Sequence, residues 1–494
     1  MTRAPRWLPF VLALLYCYPI HQYPHWKDTN ACSRAYQTLA MVDDGTFAID
    51  GPLARHGDTE DKAEHAGKHH SDKPPGVAFL MYPIAKLLRV FLPVERFDAM
   101  FLWLRILGLS IPSALFWWGT WPWWLERAGS TRNAAAVVLV GALGTGWWAY
   151  STALYSHVFA GGLLFLGFLL LRSKRWPLLA GFLCGAAFVC DFVVVLAVPV
   201  LGIFALRRSH RSALLWLLGL VPPLAAWMLY NTACFGGPLQ LGFLAHADPR
   251  YAAAYGRGFL GMQVPEARAL LGLTFSAARG LFFFTPALLL AIPGFWRRRR
   301  EGDDAWVCAG VCLAIFAFAL TTVDWRAGWA YGPRYLVPLI PFLLVGVLAA
   351  VRDVEAGHPF AVFLTAGGVV GLVWSTVAML TTPLLVQEFR NPLVHFAAET
   401  LLLGKTAPTL ATAWLGPWSV APLAVVAVGV AMFLLAGDRR TLVPATLLAV
   451  LLLVQVLIPE PRAARKTQEI ERAELLIRMG YPDAARTQLA GITP

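Results

Sequence analysis

Apolar runs dominate the chain, and short polar breaks separate them. A helical run of about 20 residues is long enough to cross the roughly 30 Å hydrocarbon core of a bilayer. The pattern therefore predicts about thirteen membrane-spanning helices. The first is predicted at 7–22, and the others at 98–124, 133–152, 156–171, 177–190, 192–206, 212–231, 279–296, 305–323, 333–351, 360–380, 418–436 and 441–458.

A long polar stretch, residues 26–76, interrupts this pattern directly after the first span. Apolar residues between positions 35 and 42 recur at helical spacing, which predicts a short amphipathic helix on the membrane surface. The apolar run 77–92 is shorter than a span needs and carries two basic residues. We expect it to form a second surface or re-entrant helix, so that residues 23–97 make one outer loop.

Basic residues indicate which side of the membrane each loop occupies, because they concentrate on the cytoplasmic side. Arg3 and Arg6 precede the first span, so the N-terminus is expected in the cytoplasm. If 77–92 does not cross, three basic clusters become cytoplasmic: 172–175, 207–208 and 297–300. The same alternation puts the tail, 459–494, outside as a short helical segment. The chain is thus divided into a membrane domain, 1–458, and this tail.

Composition supports an all-α polytopic membrane protein, which we expect in the inner (plasma) membrane. The 494 residues are 58% hydrophobic and only 14% charged, with a mean hydropathy of +0.59, which excludes an ordinary soluble domain. The net charge of +12 resides mostly in the predicted cytoplasmic loops. We therefore expect no nucleic-acid partner.

The first outer loop carries the densest candidate chemistry. In the run Ser71–Gly76, Lys73 lies beside the start of a predicted helix, an arrangement that favours an anion such as a phosphate. Asp28 and Asp61 are candidate general bases, although a helix cap and a solvated charge are the structural alternatives. His65 and His69 have helical i, i+4 spacing, but no further ligand completes a metal pattern, so no metal site is predicted.

Other polar segments are predicted at the same outer face, at the ends of distant spans. They are Tyr155-Ser156-His157, Ala278-Arg279-Gly280-Leu281 and the loop 324–335, which contains Tyr331 and Arg334. Arg334 opens a predicted span, where a guanidinium either binds phosphate or anchors at lipid headgroups.

Together these segments resemble the GT-C superfamily of polyprenyl-phosphate-dependent membrane glycosyltransferases, over about residues 7–458. By pattern, the chain is most similar to the 4-amino-arabinose lipid A transferases and the protein O-mannosyltransferases. The resembling stretches are SRAYQTLAMVDDGTFAID, DTEDKAEHAGKHHSDKPPG, YSH, YNTACFGGP, ARGLFFFTP, GWAYGPRY and NPLVHF. The resemblance implies a GT-C fold with surface helices in the first outer loop.

The resemblance also implies an inverting transfer from a polyprenyl-phosphate sugar to an envelope lipid, glycan or protein on the extracytoplasmic face. A carboxylate deprotonates the acceptor, and cationic groups stabilise the departing lipid phosphate. No cofactor is implied, and metal dependence is left open.

Particular residues receive roles from this resemblance. The candidate bases are Asp28, Asp61 and Asp72, because the position 15 residues before Gly45, where the family has an acid, holds Asn30. Lys73 matches the lysine of an acidic-Lys-Pro motif. The donor phosphate is therefore assigned to Lys73, Arg334 and Arg279, and substrate binding to Asn30, Arg34, His70, His157 and Tyr331.

Two other classes of function stay open at this point. A transporter or flippase of lipid-linked sugars would need ionisable groups or broken helices at the membrane midplane, and few such charges are found. A non-catalytic scaffold that only binds lipid carriers would explain why Asn30 stands at the expected position of the acid.

Overall fold

The computed structural model describes residues 5–23, 27–258, 261–436, 438–454 and 465–490. It is built almost entirely from helices, and five of them are long and apolar enough to cross a membrane: Phe97–Ala128, His210–Phe235, Asp303–Thr321, Arg334–Val351 and Pro359–Leu380. Seven shorter apolar helices accompany them in the described residues. The predicted helical membrane protein is confirmed in this general form, while the number of spans stays a prediction.

The described residues of the first half form a series of α-helices. They are Leu8–Cys17, Thr29–Leu39, Asp50–His56, Gly76–Leu88, Phe97–Arg105, Ile111–Ala128, Thr131–Leu143, Gly146–Tyr150, His157–Arg172, Pro177–Cys190, Ala197–Arg208 and His210–Phe235. The break between the helices that end at Cys190 and begin at Ala197 falls at Asp191, which caps a short 3-10 turn, Phe192–Val194.

The second half continues the bundle with more interruptions. Its α-helices are Pro249–Tyr255, Ala267–Thr274, Leu281–Phe284, Ala291–Arg298, Asp303–Thr321, Ile340–Val351, Pro359–Leu380, Glu399–Leu402, Thr412–Leu415, Val420–Leu435, Arg439–Leu453, Arg465–Arg478 and Pro482–Ala490. The other 3-10 segments are Gly242–Ala245, Pro286–Leu290, Arg334–Leu339 and Gly416–Ser419, and the π-helical segments are Ala40–Asp44, Ile106–Ser110 and Leu393–Ala398.

Close helix contacts depend on glycine. A Cβ atom on Gly181 would lie 1.9 Å from the carbonyl oxygen of Trp216, and one on Gly219 would lie 2.0 Å from that of Leu178. Small residues are the usual means by which helices approach closely in a membrane, where no hydrophobic effect drives them together. The outer side of His210–Phe235, by contrast, exposes large apolar side chains such as Leu229, as a lipid-facing surface requires.

The first outer loop departs from the all-α prediction at one place. Two short strands, Ala63–His65 and Lys68–His70, pair antiparallel through a turn in which Ala66 and Gly67 both have positive φ (50° and 74°). A two-residue turn with positive φ at both positions matches the right-handed twist of the two strands that it joins. The helical spacing assumed for His65 and His69 is therefore wrong, because these residues lie on opposite strands.

The helix Thr29–Leu39 begins and ends as its sequence indicates. Asp28 caps its N-terminus, and Gly45 ends the adjoining π-helical turn with φ +63°. However, every residue from Asn30 to Ala40 is buried, so the protein covers all sides of this helix, and its location at the membrane surface stays a prediction. The polar face of this helix points into the protein, where it can meet other polar groups instead of water.

The helix Gly76–Leu88 is docked against the break at Asp191. A Cβ on Gly76 would lie 2.5 Å from the backbone nitrogen of Cys190, so only glycine permits this approach. The helix has 13 residues and at about 1.5 Å per residue it spans roughly 20 Å, too little to cross a bilayer. Its N-terminal end carries the residues around Lys73 to the centre of the polar cluster described next.

The tail packs onto the segment 391–406. It contains two helices, Arg465–Arg478 and Pro482–Ala490, in agreement with the predicted helical segment. Arg472 forms an ion pair with Glu399, and the hydroxyl of Tyr481 donates to the carbonyl of Thr406 at 3.1 Å. Leu475 and Met479 join the main hydrophobic core. The predicted boundary at 459 lies outside the described residues.

Candidate functional site

Asp28 lies where the first outer loop meets the helix bundle. Its Oδ1 accepts hydrogen bonds from the backbone nitrogen of Asn30 and from the hydroxyl of Tyr155, both at 3.2 Å. The first bond is the N-cap interaction that its position before a helix favours. The second ties the carboxylate to a residue at the start of a distant helix, so Asp28 is held from two directions.

The environment of Asp28 raises its pKa to about 6. Burial is the main cause, because it disfavours the charged carboxylate, and the nearby Asp61 adds to this effect. The hydroxyl of Tyr155, the guanidinium of Arg334 and the Asn30 nitrogen all act in the opposite direction. A carboxylate with this pKa is ionised at neutral pH and is a stronger proton acceptor than an ordinary aspartate.

Lys73 joins the two other candidate carboxylates. Its Nζ lies 2.7 Å from Asp72 Oδ2 and 3.0 Å from Asp61 Oδ2. Burial opposes the charge on Lys73, but the two carboxylates prevail and raise its pKa. Burial likewise opposes ionisation of Asp61, but Lys73 and Arg334 outweigh it and lower the pKa of Asp61. Both carboxylates are thus committed to the ammonium, unlike Asp28.

Two arginines complete the cationic part of the cluster. Arg34 is 3% exposed, and its Nη2 donates to Ser156 Oγ at 2.9 Å. Its Nε and Nη1 are buried without a partner among the described residues, and so is Nε of Arg334. The Arg334 guanidinium also lies 5.5 Å from the ring centres of Tyr155 and Tyr335. Buried donors of this kind are costly unless an acceptor reaches them, which makes the cluster a candidate anion site.

A buried chain of hydrogen bonds holds Arg34 in position. Ser156, the acceptor for Arg34, donates in turn to Asp191 Oδ2 at 2.9 Å. The same oxygen lies 2.6 Å from His157 Nδ1. His157 therefore belongs to the shell that orients Arg34, and the chain break at Asp191 serves to bring that carboxylate to it.

The residues that could hold a metal ion are Asp61, Asp72 and His246. One ligand atom from each lies within 4.8 Å of the others, and Nδ1 of His246 accepts from the Asp248 nitrogen at 3.0 Å, which leaves Nε2 for an ion. Carboxylate and imidazole ligands suit zinc and similar ions. Such an ion would have to compete with the Lys73 ammonium for both carboxylates.

A cavity of about 670 Å³ opens on one side of Asp28. Its wall is formed by residues 21–23 and 27–31, by residues 56–60, by the helix that begins at Phe97 and by residues 152–154 and 383–384. Among the described residues, Asp28 is the one member of the polar cluster that also lines this cavity. Asp28 therefore lies between the cationic cluster and the cavity.

Three residues assigned to the site by sequence have other surroundings. Arg279 donates to the carbonyl oxygens of Arg326, Ala278, Gly328 and Leu385 at 2.7–3.0 Å, which leaves it little capacity for a phosphate. Tyr331 is buried in the core and its hydroxyl contacts Ser375 at 3.0 Å. His70 lies 3.3 Å from the Phe47 carbonyl and packs on Phe235. Each of these contacts favours a structural role.

Asn30 lies next to the site in the chain but plays a limited part in it. Its backbone nitrogen bonds Asp28, while its side chain is buried and its Oδ1 has no partner among the described residues. The nearest carboxylate in the chain is that of Asp28, two residues earlier.

Some site residues were not predicted. Tyr155 is part of the recognised YSH segment, so its position was visible although its contact with Asp28 was not. Ser33 and Ser71 share a hydrogen bond of 2.7 Å beside Asp72. No sequence pattern indicated His246, because an isolated β-bridge between it and Ala63 brings it close to Asp61 and Asp72.

Comparisons with known proteins give one distant likeness. No protein-family model and no curated protein sequence matches the chain. Among solved structures, it is similar to the crystal structure, in the apo state, of ArnT from Cupriavidus metallidurans, a 4-amino-arabinose lipid A transferase of the GT-C type. The identity is 16%, the match covers 90% of this chain and 76% of that chain, and the TM-score is 0.43. At this distance the function has to be inferred from the site itself.

Proposed function

We propose that the protein is a GT-C-type membrane glycosyltransferase that moves a sugar from a polyprenyl-phosphate donor to an acceptor on the extracytoplasmic face. The observation that carries this proposal is the pairing of Asp28, a carboxylate with a raised pKa of about 6, with a buried cluster of cations. One group accepts a proton while the others hold an anion, which is the division of labour that such a transfer needs.

The donor phosphate is assigned to the cationic cluster. Arg34 and Arg334 offer buried donors without partners among the described residues, and Lys73 adds an ammonium at the start of a helix. These groups bind the phosphate of the donor and stabilise the second negative charge it gains as the bond to the sugar breaks.

Asp28 is assigned the role of general base. The acceptor hydroxyl oxygen attacks the anomeric carbon, its proton passes to Asp28, and the bond from the anomeric carbon to the phosphate oxygen breaks with its electron pair on the phosphate. Attack from the side opposite the phosphate inverts the anomeric centre. Asp61 and Asp72 hold Lys73 in this scheme and do not act as bases, because the ammonium lowers the pKa of Asp61 and contacts both residues.

The topology that accompanies this function also belongs to the proposal. About thirteen spans place the N-terminus in the cytoplasm and the tail outside. The first outer loop, the cluster and the tail then share the extracytoplasmic face of the inner membrane, where lipid-linked sugars and envelope acceptors meet.

The test is transfer of labelled sugar by protein reconstituted into lipid nanodiscs. A panel of polyprenyl-phosphate sugars is offered with extracted envelope lipids, glycans and proteins as acceptors. Asp28→Asn is expected to abolish transfer while keeping donor binding, and Lys73→Ala is expected to weaken donor binding. Asp50→Asn and Lys86→Ala are matched controls, because both residues are exposed and lie outside the cluster.

Three results would contradict the proposal. Full transfer of sugar by Asp28→Asn would contradict the assignment of Asp28 as the general base. Failure of every donor to bind or react, together with movement of the carrier lipid across the bilayer in vesicles, would favour a flippase. Donor binding without transfer under any acceptor would instead favour a lipid-carrier scaffold.

A further inference from the structure

The cavity beside Asp28 differs in charge from the cationic cluster on the other side of that residue. Its wall contains more acidic than basic side chains. The acids are Asp28, Asp58, Glu60 and Asp98, and the bases are Lys27 and Arg105. Asp58 is paired with Lys62, but Glu60 and Asp98 have no ion-pair partner among the described residues.

Both basic side chains of the cavity already donate hydrogen bonds within the protein. Lys27 Nζ donates to the His56 carbonyl at 3.2 Å and lies 4.4 Å from the centre of the Phe97 ring. Arg105 donates to the carbonyl oxygens of His21 at 2.9 Å and of Phe101 at 3.4 Å. Because the acids of the wall outnumber these two bases, the cavity presents net negative charge to a ligand and disfavours a phosphate.

The same wall carries polar groups that suit a neutral ligand. Nitrogen atoms of His21, Gln22 and His56 are buried without a partner in the described part of the chain, and His21 is only 6% exposed. The rings of His21 and Tyr23 are stacked, with centres 5.7 Å apart and planes 9° from parallel. Hydrogen-bonding groups next to flat ring faces are what a sugar, with hydroxyls around an apolar ring face, requires.

We propose that this cavity binds the acceptor, and that the acceptor is a neutral sugar unit of a glycan or glycolipid which reacts through a hydroxyl and not through a phosphate. This inference rests on the proposed function. It also agrees with the need for a base: a sugar hydroxyl must lose its proton to Asp28 as it attacks, whereas an ionised phosphate acceptor needs no base at this position.

The first experiment measures binding of two matched probes in lipid nanodiscs, without donor. One is a neutral dodecyl glycoside, tested as glucoside, galactoside and N-acetylglucosaminide, and the other is the same glycoside with a phosphate on the sugar. We expect at least one neutral probe to bind, with its phosphorylated form at least about tenfold weaker. Equal or tighter binding of the phosphorylated probe, or binding of no neutral probe, would overturn the inference.

Variants place the binding in this cavity. Gln22→Ala is expected to weaken binding of the neutral probe several-fold. The double variant Glu60→Gln, Asp98→Asn is expected to reduce the difference in affinity between the neutral and the phosphorylated probe, because it removes two negative charges from the cavity wall. Glu64→Gln, an exposed residue outside the wall, is the control and should leave the difference unchanged. A difference that persists in the double variant would contradict the electrostatic explanation.

Donor binding is measured separately with a polyprenyl-phosphate sugar, since it reports on the proposed function alone. If the donor binds and the sugar is transferred only to phosphorylated acceptors, the acceptor inference fails while the glycosyltransferase stands. If the neutral glycoside binds but no donor does, the cavity binds sugars and the proposed function fails.

Discussion

The bond from Tyr155 to Asp28 gives the sharpest test of the assigned base. The Tyr155 hydroxyl donates to Asp28 Oδ1 at 3.2 Å and lowers the pKa of that carboxylate, which burial has raised to about 6. Tyr155→Phe removes the donor and keeps the ring. Hydrogen bonds to charged groups contribute about 1.5–3 kcal/mol, but this bond is long, so we take about 1 kcal/mol as its value.

That energy sets the size of the expected change. At about 1.4 kcal/mol per pKa unit, the loss of about 1 kcal/mol raises the pKa of Asp28 from about 6 by roughly 0.7 unit. The base works only when ionised, so a raised pKa moves the acid limb of the pH–rate profile to higher pH. We expect kcat/KM of Tyr155→Phe to fall about threefold at pH 6 and to change little at pH 8.

The assay is the pH dependence of kcat/KM with a fixed labelled donor, from pH 5 to 8.5. Tyr335→Phe is the control, because its ring also faces Arg334, at 5.5 Å, while its hydroxyl makes no hydrogen bond to Asp28. An acid limb of Tyr155→Phe that stays in place or moves to lower pH would refute the assignment of Asp28 as the base. An equal movement in both variants would attribute the effect to Arg334 instead.

Three further predictions concern the structure around the site. Gly181→Ala puts a Cβ 1.9 Å from a backbone oxygen of the next helix, so we expect a loss of about 1–3 kcal/mol, seen as a lower thermal midpoint, whereas Gly119→Ala, with nothing within 4 Å, should be neutral. Arg279→Lys is expected to lower the thermal midpoint without changing donor affinity, because Arg279 bonds backbone carbonyls; a specific loss of donor binding would restore its predicted phosphate role. Arg472→Ala removes an ion pair that fixes the tail and should speed limited proteolysis there, while Arg486→Ala, an 80% exposed side chain, should not.

Local sequence was sufficient for features that depend on neighbours in the chain. The cap at Asp28, one of the two readings of that residue, follows from the preference of aspartate for this position, and the break at Asp191 falls between the spans predicted at 177–190 and 192–206. The long apolar helices follow from run length in the same way. The short hairpin 63–70 was missed, because its alternation is brief and its two-residue turn, Ala66-Gly67, lacks the strongest turn sequences.

The candidate site could be predicted only in part, for a physical reason. The sequence pointed to Asp28, Lys73, Arg34 and Arg334 as residues of suitable chemistry, but hydrogen bonds between distant segments decide their roles. The hydrogen bond from Tyr155 to Asp28 joins residues that are 127 positions apart in the chain. It distinguishes Asp28 from Asp61 and Asp72, which form ion pairs with Lys73. Nothing local in the sequence shows that Arg279 donates to four carbonyl groups, so its phosphate role stays a prediction.

The sequence by itself determined that this is a helical membrane protein with one long polar stretch, residues 26–76, among its apolar runs, since hydrophobic run length is a local property of the chain. Only the tertiary structure shows that Lys73 pairs with Asp61 and Asp72, that Arg34 and Arg334 have buried nitrogen atoms without a partner among the described residues, and that a cavity opens beside Asp28. Those properties depend on burial and on pairing across the bundle, and both arise from packing between residues far apart in the chain.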